Sequence, residues 1–203
     1  MQAQSNAQVA PEREGWSLQG SSRATADLPA LPKVKEEIEG LARLANTQGI
    51  GHDTQQDDAF TADSLRHALQ TRKVVHLASH FRLMPGNGQA SGLYLGNGQL
   101  LTLGELNGPS FRFDGLDLLT LSACETAVPS GPAEQGLPIA SLAWLAPARG
   151  ARPLLATLWA VADEGTQQFM TAFYTALSSP MDRAQAIRAA QLAMLKNASA
   201  VEP

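Results

Sequence analysis

Cys124 and His80 are the two residues whose chemical types and positions suggest a reaction. Cys124 is the only cysteine of the chain and follows a strand-like apolar run that begins at Leu118. His80 ends a second such run, which begins at Val74, and lies 44 residues before the cysteine. A thiol with an ordinary pKa of about 8.5 is only slightly ionised at neutral pH, and a neighbouring imidazole can take its proton. We therefore interpret the pair as a candidate nucleophile and base.

Both residues also have an ordinary structural interpretation. A lone cysteine is often a small buried apolar residue, and a histidine at the end of a strand is often structural. The spacing favours the chemical interpretation, because it fits a pattern in which a histidine lies about 50 residues before a nucleophilic cysteine. From position and spacing alone, both interpretations stay open.

Short buried strands that alternate with helices would position this pair. In parallel sheets, ligands bind beyond the carboxyl ends of the strands, where both residues are predicted to lie. The chain is therefore predicted to have an α/β fold with a mostly parallel central sheet flanked by helices. Apolar runs predict buried strands over 74–79, 116–122 and 153–158, and an edge strand over 16–18. Helical spacing predicts helices over 32–45, 61–71, 136–148, 164–177 and 181–195.

The other segments contribute turns, loops and tails. An Asn-Gly turn predicts a β-hairpin insertion near residues 91–103. The stretch 46–59 is rich in Gly, Gln and Asp and is interpreted as a loop. We expect a disordered tail over 1–15, one domain over 16–197 and a short tail over 198–203.

Composition excludes several classes of function. The net charge of −4 gives no basic surface for nucleic acid or an anionic membrane. No apolar run reaches the length of a membrane-spanning helix, and a lone cysteine favours the reducing cytoplasm. The glycine-rich turns lack the context of a phosphate loop, and no His, Asp or Glu cluster has the spacing of a metal site. We therefore expect no cofactor and no metal.

Three segments in the right order resemble the CHAT domain family. They are VHLASHF at 75–81, LTLSACETA at 119–127 and ATLWAVAD at 156–163, and FMTAFY and AIRAAQ at 169–174 and 186–191 are similar to its two closing helices. The resemblance covers roughly residues 16 to 197, and its Ser-Ala-Cys-Glu-Thr block is highly specific. It implies a caspase-like fold and membership of the caspase/separase/gingipain clan of cysteine endopeptidases. It also implies a protein substrate and an association with tetratricopeptide repeats.

The resemblance implies a role for each matching position. Cys124 would be the nucleophile, and His80 would be the general base and acid. The backbone N–H groups of Cys124 and Phe81 would be candidate donors to the oxyanion. Many family members have glycine where this chain has Phe81, so its side chain is expected to narrow the approach to the site.

Two acidic residues are candidates for substrate binding. Asp163 matches the position where separase-like members carry an acidic residue near the pocket for the residue before the cut. The hypothesis is that Asp163, with a contribution from Glu164, favours a basic side chain there. A helix cap at the start of the next helix is an equally good interpretation. Glu125, directly after Cys124, would orient the loop or point to solvent.

Two function classes follow. The first is a cysteine endopeptidase that uses a His-Cys dyad to cleave specific protein partners under the control of a partner or a repeat protein. The second is a catalytically silent CHAT-like module used for protein interaction. Phe81, the proline-containing loop near residue 130 and Ala160 at a position where proline is common favour the second. A small-molecule α/β hydrolase lacks its Gly-x-Ser-x-Gly elbow.

Overall fold

The structure, a computed structural model, describes residues 14–25, 28–82, 84, 86–125, 154–156 and 163–199. Seven strands form one sheet. They are β1 (Trp16–Gly20), β2 (His52–Gln56), β3 (Val74–Arg82), β4 (Gly92–Tyr94), β5 (Leu100–Thr102), β6 (Leu118–Glu125) and β7 (Leu154–Ala156). The helices described are α1 (Pro32–Thr47), α2 (Ala62–Thr71), α3 (Leu103–Leu106), α4 (Asp163–Leu177) and α5 (Arg183–Ser199). The predicted helix over 136–148 and most of the predicted tail over 1–15 lie outside the described residues.

The sheet is mostly parallel, as predicted. β1 lies between β2 and β3, and β3 pairs in parallel with β6, which pairs in parallel with β7. The antiparallel strands β4 and β5 form the predicted hairpin, and β4 joins the sheet beside the last two residues of β3. This arrangement confirms the α/β class and is consistent with the caspase-like fold that the resemblance implies.

Two predictions about the first strands are wrong. The stretch 46–59 is not all loop, because it contains β2. The strand that begins at Trp16 is not an edge strand, because β2 pairs with its outer side. Both errors have one cause: β2 has the sequence HDTQQ and is half-buried. An edge strand pairs through its backbone on one side and does not need the apolar run that identifies a central strand.

Side chains alternate between the two faces of the sheet, and each face has its own core. On the first, called the α1 face, Val74 and Ala78 of β3 pack with α1, α4 and α5. On the second, called the α2 face, Val75, Leu77 and Phe81 pack with α2, α3 and the hairpin. Thr61 caps α2, since its side chain accepts a hydrogen bond from the backbone N–H of Ser64.

Gly20, the last residue of β1, lets α1 approach the sheet closely. A Cβ atom there would lie 2.2 Å from the Ala78 carbonyl oxygen and 2.8 Å from Ile38 Cδ1. We expect Gly20→Ala to lower the free energy of unfolding by about 1–3 kcal/mol, because the backbone or α1 must shift. Urea denaturation measures the change. Gly51→Ala is the control, since a Cβ atom on Gly51 meets nothing within 4 Å, and equal losses in both variants would contradict the packing argument.

Candidate functional site

The pairing of β3 with β6 places His80 and Cys124 side by side. The parallel register runs from the pair Val74 and Leu118 to the pair Phe81 and Glu125, and His80 is the register partner of Cys124. Neighbouring strands are about 4.8 Å apart, so the two backbones are adjacent. Both residues lie near the carboxyl ends of their strands. The structure describes the backbone of Cys124 and not its side chain.

The His80 imidazole is held by a backbone carbonyl. His80 is 1% exposed, and its Nε2 lies 2.7 Å from the carbonyl oxygen of Pro29. A carbonyl can only accept a hydrogen bond, so Nε2 carries the proton. In the neutral ring, Nδ1 is then the basic nitrogen. This contact fixes the orientation of the ring and its tautomer.

The segment between β1 and α1 brings Pro29 to this position. Its first residue, Ser21, donates its N–H to the carbonyl of Ala78 in β3. The segment also closes on itself, because the N–H of Leu31 donates to the carbonyl of Ser22 at 2.9 Å. The Asp57 carboxylate accepts hydrogen bonds from both the N–H and the hydroxyl of Ser22. The Pro29 carbonyl therefore sits on a segment that is tied to β3 at its start, to Asp57 after β2, and to itself.

The Phe81 ring is part of the core and not of the site. Phe81 is 1% exposed and packs on the α2 face, whereas alternation along β3 puts His80 on the α1 face. The expectation that this side chain narrows the approach to the histidine is therefore wrong. The Phe81 backbone lies between register partners on both sides, Leu93 of β4 and Glu125 of β6.

A cavity of about 240 Å³ lies beside His80. It lies between the segment that follows β1 and the β4–β5 turn. Hydroxyl and backbone groups line much of it, and Arg23 lies at its wall with both terminal guanidinium nitrogens paired to the Asp58 carboxylate. The hydrogen bond from Arg23 holds the pKa of Asp58 below its usual value. The lining residues are Ser21, Arg23, Ala24, Thr25, Ser79, His80 and 94–98.

The two acidic candidates are placed by their backbones alone. Asp163 is the first residue of α4, a position that suits a capping role as well as a substrate contact. Glu125 is the last residue of β6, in register with Phe81. The proline-containing loop near residue 130 lies outside the described residues.

Sequence reasoning missed a buried polar cluster behind the His80–Cys124 pair. His76 is fully buried, and its Nε2 lies 2.7 Å from Oε1 of Glu37 in α1. The other Glu37 oxygen accepts a hydrogen bond from Ser122 of β6 at 3.2 Å. From α4, the Tyr174 hydroxyl donates to Thr120, and burial raises the pKa of this tyrosine well above its ordinary value. The sequence could have predicted that Glu37 is buried, because this residue falls among the inward-facing apolar positions of α1.

Within the described residues, no three or more His, Cys, Asp or Glu side chains are grouped so that they could hold a metal ion. The helices in that part of the chain are also too short or too polar to cross a membrane.

The fold and the site define an α/β protein with a histidine and a cysteine paired at the carboxyl ends of adjacent parallel strands. Residues 2–202 match the CHAT domain family, which covers nearly the whole chain. The protein therefore belongs to the CHAT domain family, which is related to caspase-like proteases. No curated protein matches the sequence significantly.

Three solved structures are distant matches. Protein GSU0716 from Geobacter sulfurreducens is 16% identical with a TM-score of 0.43, over 57% of this chain and 52% of that one, so the chain spans about half of its length. A flavodoxin from Streptococcus pneumonia TIGR4 is 10% identical with a TM-score of 0.46, over 82% and 99% of the two chains. A diflavin flavoprotein from Nostoc sp. is 13% identical with a TM-score of 0.39, over 94% and 100%. We draw no function from these similarities.

Proposed function

We propose that this protein is a cysteine endopeptidase that uses His80 and Cys124 to cleave specific protein partners. The observation that carries the proposal is the register of β3 and β6, which makes these two residues direct neighbours. The Pro29 carbonyl supports it, since its contact with Nε2 leaves Nδ1 of His80 as the base. Family membership supports the same class of reaction.

The proposed reaction has two halves. Nδ1 of His80 takes the thiol proton, and the sulfur of Cys124 attacks the carbonyl carbon of the scissile peptide bond. The N–H groups of Cys124 and Phe81 are the proposed donors to the oxyanion that forms, once they leave the ladder at the ends of β3 and β6. The imidazolium then gives its proton to the leaving amine as the C–N bond breaks, which leaves a thioester. Water, deprotonated by His80, hydrolyses the thioester and restores the thiol.

The cavity beside His80 is a concave surface that can receive part of the substrate chain. We propose that Asp163, with a contribution from Glu164, favours a basic side chain before the cut, because carboxylates pair well with lysine and arginine. Glu125 is proposed to orient the loop that binds the substrate. We also propose that a partner, such as a tetratricopeptide-repeat protein, controls access to the site. A thiol nucleophile must stay reduced, which favours the cytoplasm as the place of action.

Identification of new protein N-termini tests the proposal. Wild-type protein and Cys124→Ala are incubated separately with a lysate of the source cells, and the new N-termini are sequenced by mass spectrometry. We expect a small set of cuts that only the wild type makes, with lysine or arginine before most of them. Cuts without basic residues would contradict the role of Asp163. Identical N-termini in both samples would contradict the protease and favour the silent interaction module.

A further inference from the structure

Glu37 joins the two strands that carry His80 and Cys124. Its carboxylate is 1% exposed, although most glutamates lie at the surface. One oxygen lies 2.7 Å from Nε2 of His76 in β3, and the other accepts a hydrogen bond from the hydroxyl of Ser122 in β6 at 3.2 Å. One side chain of α1 therefore contacts both strands at once, at ion-pair distance from His76 and through a hydrogen bond from Ser122.

These contacts lie close to the register pair of His80 and Cys124. In the register of β3 and β6, His76 pairs with Thr120, Ala78 with Ser122, and His80 with Cys124. Ser122 thus precedes Cys124 by two residues, roughly 7 Å along the strand. The Glu37 contacts therefore lie four residues before His80 on β3 and two residues before Cys124 on β6.

Other groups fix the bridge in place. The Tyr174 ring of α4 packs edge-on against the His76 ring, with centroids 5.5 Å apart, and its hydroxyl donates to Thr120. α1 also lies close to the backbone of β1, since a Cβ atom on Gly20 would lie 2.8 Å from Ile38 Cδ1. A buried carboxylate is costly, and an apolar side chain would fill the same space more easily. Stability alone does not explain why glutamate occupies this position.

We propose that Glu37 is a positioning residue for the His80–Cys124 pair. It holds β3 and β6 at a fixed separation and register, so that the imidazole and the thiol meet at the distance that proton transfer requires. The inference rests on the proposed function of these two residues. Glu37 itself touches no reacting atom.

The test is the rate at which Cys124 is alkylated by a tripeptide chloromethyl ketone. In this reaction the sulfur forms a bond to the methylene carbon and chloride leaves. Saturation kinetics separate the maximal rate, kinact, from the probe concentration at half-saturation, KI. We expect Glu37→Leu to lower kinact by about 100-fold and to leave KI nearly unchanged, because misplacement affects the reacting atoms and not probe binding. Glu37→Gln, which keeps the length and one acceptor, is expected to lose about 3- to 10-fold. Circular dichroism checks that each variant is folded at the assay temperature.

The matched control is Glu36→Gln, since Glu36 is the exposed neighbour of Glu37 on the same helix. It is expected to react like the wild type. A folded Glu37→Leu with the wild-type kinact overturns the proposal. If Glu37→Leu does not fold, Glu37→Gln decides, and a wild-type kinact in that variant overturns the proposal.

The proposed function can fail separately. If wild-type protein is alkylated no faster than His80→Ala, the dyad is absent and both proposals fall. If the wild type is much faster than His80→Ala and Glu37→Leu matches the wild type, only the positioning role falls.

Discussion

Replacing His80 by alanine is expected to slow the alkylation of Cys124 by a tripeptide chloromethyl ketone about 10²- to 10⁴-fold at neutral pH. The thiolate is the reactive form, and without the imidazole only a small fraction of an ordinary thiol is ionised at this pH. The geometry supports a loss of this size, because His80 is the register partner of Cys124 and its ring is fixed by the Pro29 carbonyl. The chain has one cysteine and four histidines, so peptide mapping of the alkylated protein, with Cys124→Ala as the blank, assigns the reaction to Cys124.

The control for this prediction is His67→Ala. His67 is an exposed residue of α2 and is expected to have no effect. Equal rates in wild type, His80→Ala and His67→Ala would show that the thiol reacts without a base. Such a result would favour the silent interaction module.

Replacing Phe81 by glycine is expected to lower the free energy of unfolding by about 3–5 kcal/mol without speeding the alkylation of Cys124. Glycine is common at this position in the family, and a narrowed approach would have predicted a faster reaction in this variant. The structure gives the opposite expectation, because the Phe81 ring is buried with Leu77 and Leu93 on the α2 face. Removing it leaves a cavity in that core and does not widen the site.

Urea denaturation and the alkylation rate of the folded protein test the two parts of this prediction. Phe81→Leu keeps an apolar side chain in the core and is expected to lose much less stability. A Phe81→Gly variant that is as stable as the wild type, or that reacts several-fold faster, would contradict the placement of the ring.

The central strands were predictable because each depends on burial of its own side chains. The apolar runs around Val75 and Leu119 identify strands that pack on both faces, and helical spacing identified α1 and α2. β2 was not predictable in this way, since a polar edge strand is selected by backbone pairing with β1.

The residues of the site also divide into those that the sequence predicts and those that only the fold reveals. The residue types of His80 and Cys124 and their positions at predicted strand ends indicate a pair. The register of β3 and β6 makes them neighbours. The contribution of Pro29 carries no side-chain signal, because every residue has a carbonyl group and only the folded segment selects this one. Glu37 could have been found, since it lies on the same side of α1 as Val34 and Ile38, where a charge needs a partner.

The order of pairing in the sheet has a consequence for how the protein is made. β1 finds its second partner only after β3 has been synthesised, and β3 pairs with β6 later still, so the sheet is built from contacts that are distant along the chain. Such contacts form slowly compared with local ones. A growing chain that has completed the β4–β5 hairpin already carries His80, but it has no register partner for it. The proposed proteolytic activity would therefore appear only late in synthesis, after β6 has joined the sheet, and the ribosome-bound chain would be inert until then.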